Sequence, residues 1–295
     1  MTTVDSTFRR FEASLRMSSN TVEAVQRRYR MITKRINTDF WQINSETLHS
    51  WYAGSYGRGT AISTSDIDIL VELPDELYQH HSIQTVLGAN GPSRLLQSVK
   101  TSLQQTYPTT KLRGDGQVVV VEFSDGVRFE IVPVFTDVDQ AFIYPDTHNG
   151  GSWQRMNPKL EAFAFAELSR TKPGGLKKFC RMLRAWNNKF HSPLSGQAID
   201  AMASEYWDTS YWSGKPPFTY FDWHVRDFFS YWIQQFNQGG VVVAPGSFRR
   251  IPVSDFAKNI SFLQDLHKTA ECAIESEDQA NEFWRLIFGE KFPAF

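Results

Sequence analysis

Two aspartates separated by one residue end a segment, residues 51–73, that is otherwise rich in glycine and hydroxyl side chains. Asp66 and Asp68 alternate with Ile67 and Ile69, and alternate residues of a β-strand share one face, so we expect both carboxylates to project to the same side. Two carboxylates held this close need a cation, and Mg²⁺ is a cation that carboxylates hold beside phosphate groups. The spacing therefore predicts a site for phosphoryl-transfer chemistry.

Gly54 and Ser55 precede these aspartates and are typical of a phosphate-binding turn. Glycine lets backbone N–H groups approach a phosphate, and the N-terminus of a following helix favours its negative charge. A P-loop is excluded, because Thr60 and Ala61 stand where that motif requires Lys and then Ser or Thr. The segment thus predicts a short strand, a glycine turn that opens a helical turn, and a second strand.

A third carboxylate interrupts an apolar strand pattern further along the chain. Glu130 has apolar neighbours and lies three positions before Pro133. A buried carboxylate needs a partner. If its strand lies beside the one that carries Asp66 and Asp68, Glu130 completes an acidic triad. The alternative is an ion pair between Glu130 and a nearby base.

Length, charge and cysteine content limit the classes of protein. The 295 residues suffice for two lobes, and a net charge of −1 argues against strong nucleic-acid binding. Cys180 and Cys272 lie far apart, outside any metal-ligand spacing, which fits a reducing compartment. No apolar run approaches a membrane span, and the N-terminus lacks a signal-peptide core. We expect a cytoplasmic protein.

Hydrophobic periodicity divides the chain into an α+β part, residues 1–153, and a helical part, residues 154–295. The first part contains two N-terminal helices and several strands, and residues 144–157 are rich in Gly, Pro, Asp and Asn, which indicates a crossing loop. The second part predicts helices over residues 158–170, 175–190, 194–206, 220–237, 254–275 and 278–288.

One of these helices carries a cationic stripe beside an apolar one, formed by Lys177, Arg181 and Arg184 and by Leu176, Cys180 and Leu183. This pattern fits an ordinary amphipathic helix. It also fits a helix that faces the acidic triad and holds the phosphates of a nucleotide.

Three other patterns have simpler interpretations. His80 and His81 have no further ligand nearby and are expected to be exposed linker residues. Asp137 and Asp139 are expected in a solvated loop. The aromatic residues between positions 220 and 236 are expected to form core rather than to stack on bases.

Taken together, the motifs resemble a known superfamily. Gly54-Ser55, ten intervening residues, Asp66-x-Asp68, and an acidic residue three positions before Pro133 resemble the DNA polymerase β-like nucleotidyltransferases. More narrowly, Gly-Ser-Tyr-x-Arg-Gly-Thr and the helix segment Met-Leu-Arg-Ala-Trp-Asn at residues 182–187 look like the cGAS/DncV-like bacterial nucleotidyltransferases (CD-NTases) of CBASS antiphage signalling.

The resemblance implies a fold and an activity. The fold would be a palm, with a mixed sheet and an N-terminal spine helix, plus a C-terminal helical domain, with the active site in the cleft between the lobes. Two Mg²⁺ ions, replaceable by Mn²⁺, would be held by Asp66 and Asp68, with Glu130 on the catalytic ion. The substrates would be ATP, GTP or both. The product would be a cyclic di- or trinucleotide second messenger for a separate effector protein, with regulatory partners encoded nearby.

The resemblance also implies a set of nucleotide-binding residues: Gly54, Ser55, Lys177, Arg181, Arg184 and Ser195. Three positions depart from the family pattern. Glu130 stands where Asp is usual, Arg184 stands where Lys is common, and Ser195 is followed by glycine instead of a stacking aromatic. Two alternatives therefore stay open: a nucleotidyltransferase of the same fold that modifies RNA, a protein or a small molecule, and a catalytically weak nucleotide-binding regulator.

Overall fold

The structure is a computed structural model that describes residues 3–64, 66–276 and 278–294. It contains two compact units. The sheet unit comprises residues 18–57 and 64–159, and the helical unit comprises residues 1–17, 58–63 and 160–295. The predicted domain boundary between residues 153 and 154 stays a prediction. Across the described ranges, no helix is both long and apolar enough to cross a membrane.

The α-helices, in chain order, are α1 (Thr3–Leu15), α2 (Ser19–Ile36), α3 (Gly54–Arg58), α4 (Asp75–Val86), α5 (Gly91–Thr106), α6 (Pro158–Thr171), α7 (Leu176–Lys189), α8 (Gly196–Thr209), α9 (Phe221–Asn237), α10 (Ile260–Glu275) and α11 (Ala280–Phe288). A π-helical turn spans Asn37–Trp41, and a 3₁₀ turn spans His148–Gly150.

The sheet unit is built on a mixed sheet whose strands are β1 (Ser50–Tyr52), β2 (Ile67–Glu72), β3 (Lys111–Asp115), β4 (Val118–Glu122), β5 (Arg128–Thr136), β6 (Phe142–Asp146) and β7 (Ser152–Met156). The order is β1-β2-β5-β4-β3, and β6 pairs with both β5 and β7. Strands β2 and β5 pair parallel, and the other neighbours in this sheet pair antiparallel. This arrangement confirms the α+β prediction.

The helical unit has an aromatic core, as its composition predicts. Side chains from α1, α7, α8, α9 and α11 are almost fully buried there, among them Phe8, Phe11, Phe179, Trp186, Trp207, Phe221, Phe228, Phe229, Trp232 and Trp284. A two-stranded hairpin, β8 (Val242–Val243) and β9 (Arg250–Ile251), completes the unit. The expectation that the aromatic residues between positions 220 and 236 form core is confirmed for four side chains of α9: Phe221, Phe228, Phe229 and Trp232.

Three local predictions are wrong for identifiable reasons. Residues 144–157 are not only a loop, because β6 and β7 form a hairpin and most of the Gly, Asp and Asn signal falls in its turn. The helix predicted from residue 254 begins only at Ile260, where the side chain of Asn259 caps it by accepting from the N–H of Phe262. His81 is 6% exposed within α4 and is not a linker residue.

Candidate active site

The register of β2 against β5 brings the predicted carboxylates together. Asp68 lies opposite Glu130 in this parallel pair, and Ile67 lies opposite Phe129. Asp66, directly before β2, is therefore next to Arg128. Alternation then assigns Asp66, Asp68, Arg128 and Glu130 to one face of the sheet. The intervening side chains on the opposite face, Ile67, Ile69, Phe129 and Ile131, are fully buried.

The glycine turn packs directly against this pair of strands. Gly54 has a φ of +55°, and a Cβ at this position would overlap with the carboxylate of Asp68. The N–H of Ala53 donates to the carbonyl of Asp68 at 2.8 Å, which fixes the turn on β2. Ser55, the next residue of α3, is 8% exposed. The turn and the first part of the acidic site thus form one local structure, in which only glycine fits at position 54.

A guanidinium group lies among the carboxylates. Arg128 has Nη1 at 3.6 Å from Oδ2 of Asp66, and its Nη2 donates to Oε1 of Glu130. Burial raises the pKa of the Glu130 carboxyl, the charge of Arg128 lowers it and that of Asp66 raises it, so that the net shift is upward. Glu130 is therefore both the neighbour of Asp68 on the adjoining strand and the partner of a nearby base.

The chemistry of these residues fits a divalent cation. In the described ranges, no three side chains of His, Cys, Asp or Glu already form a metal-binding group. The three carboxylates nevertheless supply the hard oxygen ligands that Mg²⁺ prefers, on strands separated by about 4.8 Å. One cationic group, the Arg128 guanidinium, already reaches both Asp66 and Glu130. Two observations therefore support a divalent-cation site: the three carboxylate ligands, and the Arg128 guanidinium that already binds two of them.

The helical unit places Arg184 in a buried ion cluster. Oδ2 of Asp200 accepts hydrogen bonds from Arg58 at 2.7 Å, Arg184 at 2.8 Å and the Thr60 hydroxyl at 2.9 Å. Arg184 also donates to the carbonyl of Gly196 at 2.9 Å. Burial opposes ionisation of Asp200, but the charges of Arg184 and Arg58 outweigh it, so the pKa of Asp200 lies below its ordinary value. Asp200 thus joins Arg184 to Arg58 and Thr60, two residues that follow the glycine turn, and Arg184 also donates to the Thr60 hydroxyl at 3.2 Å.

The remaining predicted nucleotide contacts lie in the same helical unit. Arg181 binds the Glu12 carboxylate at 2.6 Å and donates to the carbonyl of Gly59. Lys177 is exposed, and its side chain passes close to Gly59. Ser195 caps α8 by accepting from the N–H of Ala198 at 3.1 Å. Their roles in binding a nucleotide stay predictions.

Sequence reasoning missed two of the residues that shape the site. Arg128 was detectable, because it lies two positions before Glu130 in a strand pattern and must share its face. Asp200 gave no such signal, since nothing in an amphipathic helix identifies the distant arginine that a carboxylate will meet. Arg58 and Thr60 belong to the Gly-Ser-Tyr-x-Arg-Gly-Thr segment that resembles the family, but the sequence assigned them no structural role.

A glycine-serine turn lies against paired aspartates, with a third carboxylate on the parallel neighbouring strand, and this is the arrangement that the resemblance to the nucleotidyltransferases implies. Residues 1–168 match the family described as the Second Messenger Oligonucleotide or Dinucleotide Synthetase domain. This match covers more than half of the sequence, and the chain belongs to that family. It is a cGAS/DncV-like enzyme, a cyclic oligonucleotide synthase.

A curated relative supports the same class. The cyclic AMP-AMP-AMP synthase of Acinetobacter sp. (strain ATCC 27244 / 9458) is 22% identical over 275 residues, which cover 88% of this chain and 76% of the relative.

Similar solved structures show the same fold. Vibrio cholerae DncV cyclic AMP-GMP synthase, in complex with the linear intermediate 5′ pppA(3′,5′)pG, superposes with a TM-score of 0.73 and 13% identity, over 98% of this chain and 96% of that chain. The CdnC:HORMA-deltaN complex of E. coli MS115-1 gives a TM-score of 0.69 and 17% identity, with 99% of each chain covered. Bradyrhizobium diazoefficiens CdnG in complex with GTP gives a TM-score of 0.72 and 14% identity, over 98% of this chain and 95% of that chain.

Proposed function

We propose that this enzyme joins nucleoside triphosphates into a cyclic di- or trinucleotide by metal-dependent nucleotidyl transfer. A ribose hydroxyl oxygen of one nucleotide attacks the α-phosphorus of another. A phosphodiester bond forms, the bond to pyrophosphate breaks, and the hydroxyl proton is lost. A final intramolecular step of the same kind closes the ring. The observation that carries the proposal is the register of β2 against β5, which puts Asp68 opposite Glu130 beside the Gly54 turn.

Each candidate site residue of the sheet unit has a defined role in this proposal. Asp66 and Asp68 would hold two Mg²⁺ or Mn²⁺ ions, and Glu130 would share the ion at the attacking hydroxyl. When bound, these ions lower the pKa of that hydroxyl and neutralise the leaving pyrophosphate. The backbone after Gly54 and the Ser55 hydroxyl would position the triphosphate, since the turn lies directly on Asp68.

The proposed nucleotide-binding residues of the helical unit have different surroundings and therefore different proposed roles. Lys177 is exposed and would bind phosphate directly. Arg181 and Arg184 are engaged with Glu12 and Asp200 and would act by positioning the chain around Gly59. Ser195 retains an exposed position at the start of α8, where its hydroxyl already serves as a cap.

The proposal extends to substrate and biological role. ATP is the first substrate to test, because the curated relative is named as a cyclic AMP-AMP-AMP synthase. GTP is the second, because the similar CdnG structure is a complex with GTP. The cyclic product would activate a separate effector in antiphage defence. A regulatory protein partner is part of the proposal, since the similar CdnC structure contains HORMA-deltaN.

The test uses the full chain with radiolabelled ATP, GTP and their mixture in Mg²⁺ or Mn²⁺, beside the isosteric Asp66→Asn/Asp68→Asn variant. A phosphatase-resistant product formed by the wild type alone is expected, and nuclease digestion then gives ring size and linkage. Label found only in added RNA, protein or a small molecule would refute cyclisation. So would the absence of any product under all nucleotide combinations, with and without phage-infected extract.

A further inference from the structure

Arg128 occupies a position that the proposed mechanism does not use. It lies on the same sheet face as Glu130, two residues earlier on β5, and next to Asp66 across the parallel pair. Its guanidinium contacts both of these carboxylates. Neither contact is fully buried, because the exposed fraction of the side chain is 32% for Arg128, 43% for Asp66 and 24% for Glu130. A cation from the protein itself is therefore bound to two of the three proposed metal ligands.

We propose that Arg128 is a displaceable counterion that neutralises Asp66 and Glu130 and that a divalent cation must displace in order to bind. The proposal rests on the metal site proposed above and adds a residue that sets its affinity. Arg128 would touch the metal ligands and not the reacting atoms, so it is a positioning residue. Its removal should strengthen metal binding, which is the opposite of what loss of a ligand does.

The competition follows from shared carboxylates. The Glu130 carboxylate accepts from Arg128 and would also be a ligand of the metal. A guanidinium and a metal ion at the same carboxylates compete for oxygen lone pairs and repel each other as cations, so binding of one weakens binding of the other. The apparent metal affinity is then the intrinsic affinity multiplied by the fraction of molecules in which Arg128 is turned away.

Displacement is feasible because Arg128 is incompletely satisfied where it is. Its Nε is buried and has no hydrogen-bond partner in the described part of the chain, and its contact with Asp66 is an ion pair at 3.6 Å. Partly exposed ion pairs contribute little stability, because solvent screens the attraction between the charges. A divalent ion with several carboxylate ligands can therefore outcompete this single charge.

A second acidic residue offers Arg128 another position. Glu122 of β4 lies opposite Arg128 in the antiparallel β4–β5 pair, on the side away from Asp66. Glu122 already binds Lys111 at 2.7 Å and Arg113 at 3.4 Å, and the charge of Arg128 contributes to its lowered pKa. A guanidinium displaced from Glu130 can thus turn toward Glu122 without leaving this face of the sheet.

The experiment measures Mn²⁺ binding to the nucleotide-free full chain by isothermal titration calorimetry. The Arg128→Met variant retains most of the side-chain volume and removes the charge. The matched control is Arg113→Met, which removes an arginine from the same face. Its ion-pair partners are Glu122 and Asp115, and its charge lowers the pKa of Glu130 less than that of Arg128 does. We expect the dissociation constant for Mn²⁺ to fall about tenfold in Arg128→Met, as expected if the guanidinium is bound about 90% of the time, and to change less than about twofold in the control.

An unchanged or weakened Mn²⁺ affinity in Arg128→Met overturns the proposal, and so does an equal gain in both variants. Circular dichroism checks that each variant is folded, and Arg128→Gln replaces Arg128→Met if the latter is not. Activity is scored separately. A product-forming wild type with no change in Mn²⁺ affinity refutes only the counterion role, whereas tighter Mn²⁺ binding without any product refutes only the proposed reaction.

Discussion

Replacing Asp200 by asparagine should destabilise the helical unit strongly. Its carboxylate is 3% exposed and is the ion-pair partner of both Arg58 and Arg184, whose side chains are 13% and 8% exposed. Asparagine preserves the shape but leaves two guanidinium groups without their counter-charge in a buried place. Breaking a buried ion pair by removing one partner costs about 3–5 kcal/mol. In domains of this size 1 kcal/mol corresponds to about 2–4 °C in melting temperature, so a decrease on the order of 10 °C is expected.

Thermal unfolding followed by circular dichroism at pH 7 measures this decrease. The matched control is Asp208→Asn, the same substitution in the same helix, where the side chain is 66% exposed and pairs with Lys172. Its loss should cost less than about 1 kcal/mol. If Asp200→Asn melts within 2 °C of this control, roughly the effect of 1 kcal/mol, the reasoning about the buried cluster is wrong.

The pH dependence gives the cluster a second signature. The pKa of Asp200 is lowered in the folded state, whereas an unfolded aspartate titrates near its ordinary value of about 3.9. The stability contributed by the ionised carboxylate is then fully present above that ordinary value, and it is lost progressively as the pH falls from there through the lowered pKa of the folded state. The advantage of the wild type over Asp200→Asn should be constant from about pH 8 to pH 5 and should shrink below about pH 4.

Three other perturbations follow from the structure. Glu130→Gln should abolish product formation while changing the melting temperature little, and full activity in this variant would remove Glu130 from the ligand set. Gly54→Ala should lower turnover by about 100-fold, because its Cβ would overlap with Asp68. Gly88→Ala is the control, with a positive φ but no atom within 4 Å of its Cβ, and loss of turnover in both would assign the effect to the backbone. Cys180 is fully buried and burial raises the pKa of its thiol, so at pH 8 it should react with a thiol reagent only after denaturation. Peptide mapping separates its labelling from that of Cys272, which is partly exposed, and rapid labelling of Cys180 itself in the native protein would contradict its placement in the core.

Several parts of the site could be predicted because their causes are local. The two-residue spacing of Asp66 and Asp68 decides that they share a face, whatever the strand pairs with. Gly54 and Ser55 indicate a tight turn from residue type alone, and the structure confirms a short helix at that point. The periodicity of residues 158–288 likewise predicts a largely helical second half. However, α10 begins at Ile260 instead of residue 254, and the first residues of α7, α8, α9 and α11 differ from the predicted ones by one or two positions.

The tertiary structure decided what depends on contacts between distant residues. Alternation along β5 says that Arg128 and Glu130 share a face, but only the parallel register with β2 puts them beside Asp66 and Asp68. The sequence likewise does not indicate the partners of Asp200. A carboxylate on a helix can also face solvent, and only folding brings Arg58 to it. Strand pairing and ion pairing of this kind are long-range, so no local pattern encodes them. The sequence by itself thus determined the chemical groups of the site and their local spacing, and the fold determined which of them meet.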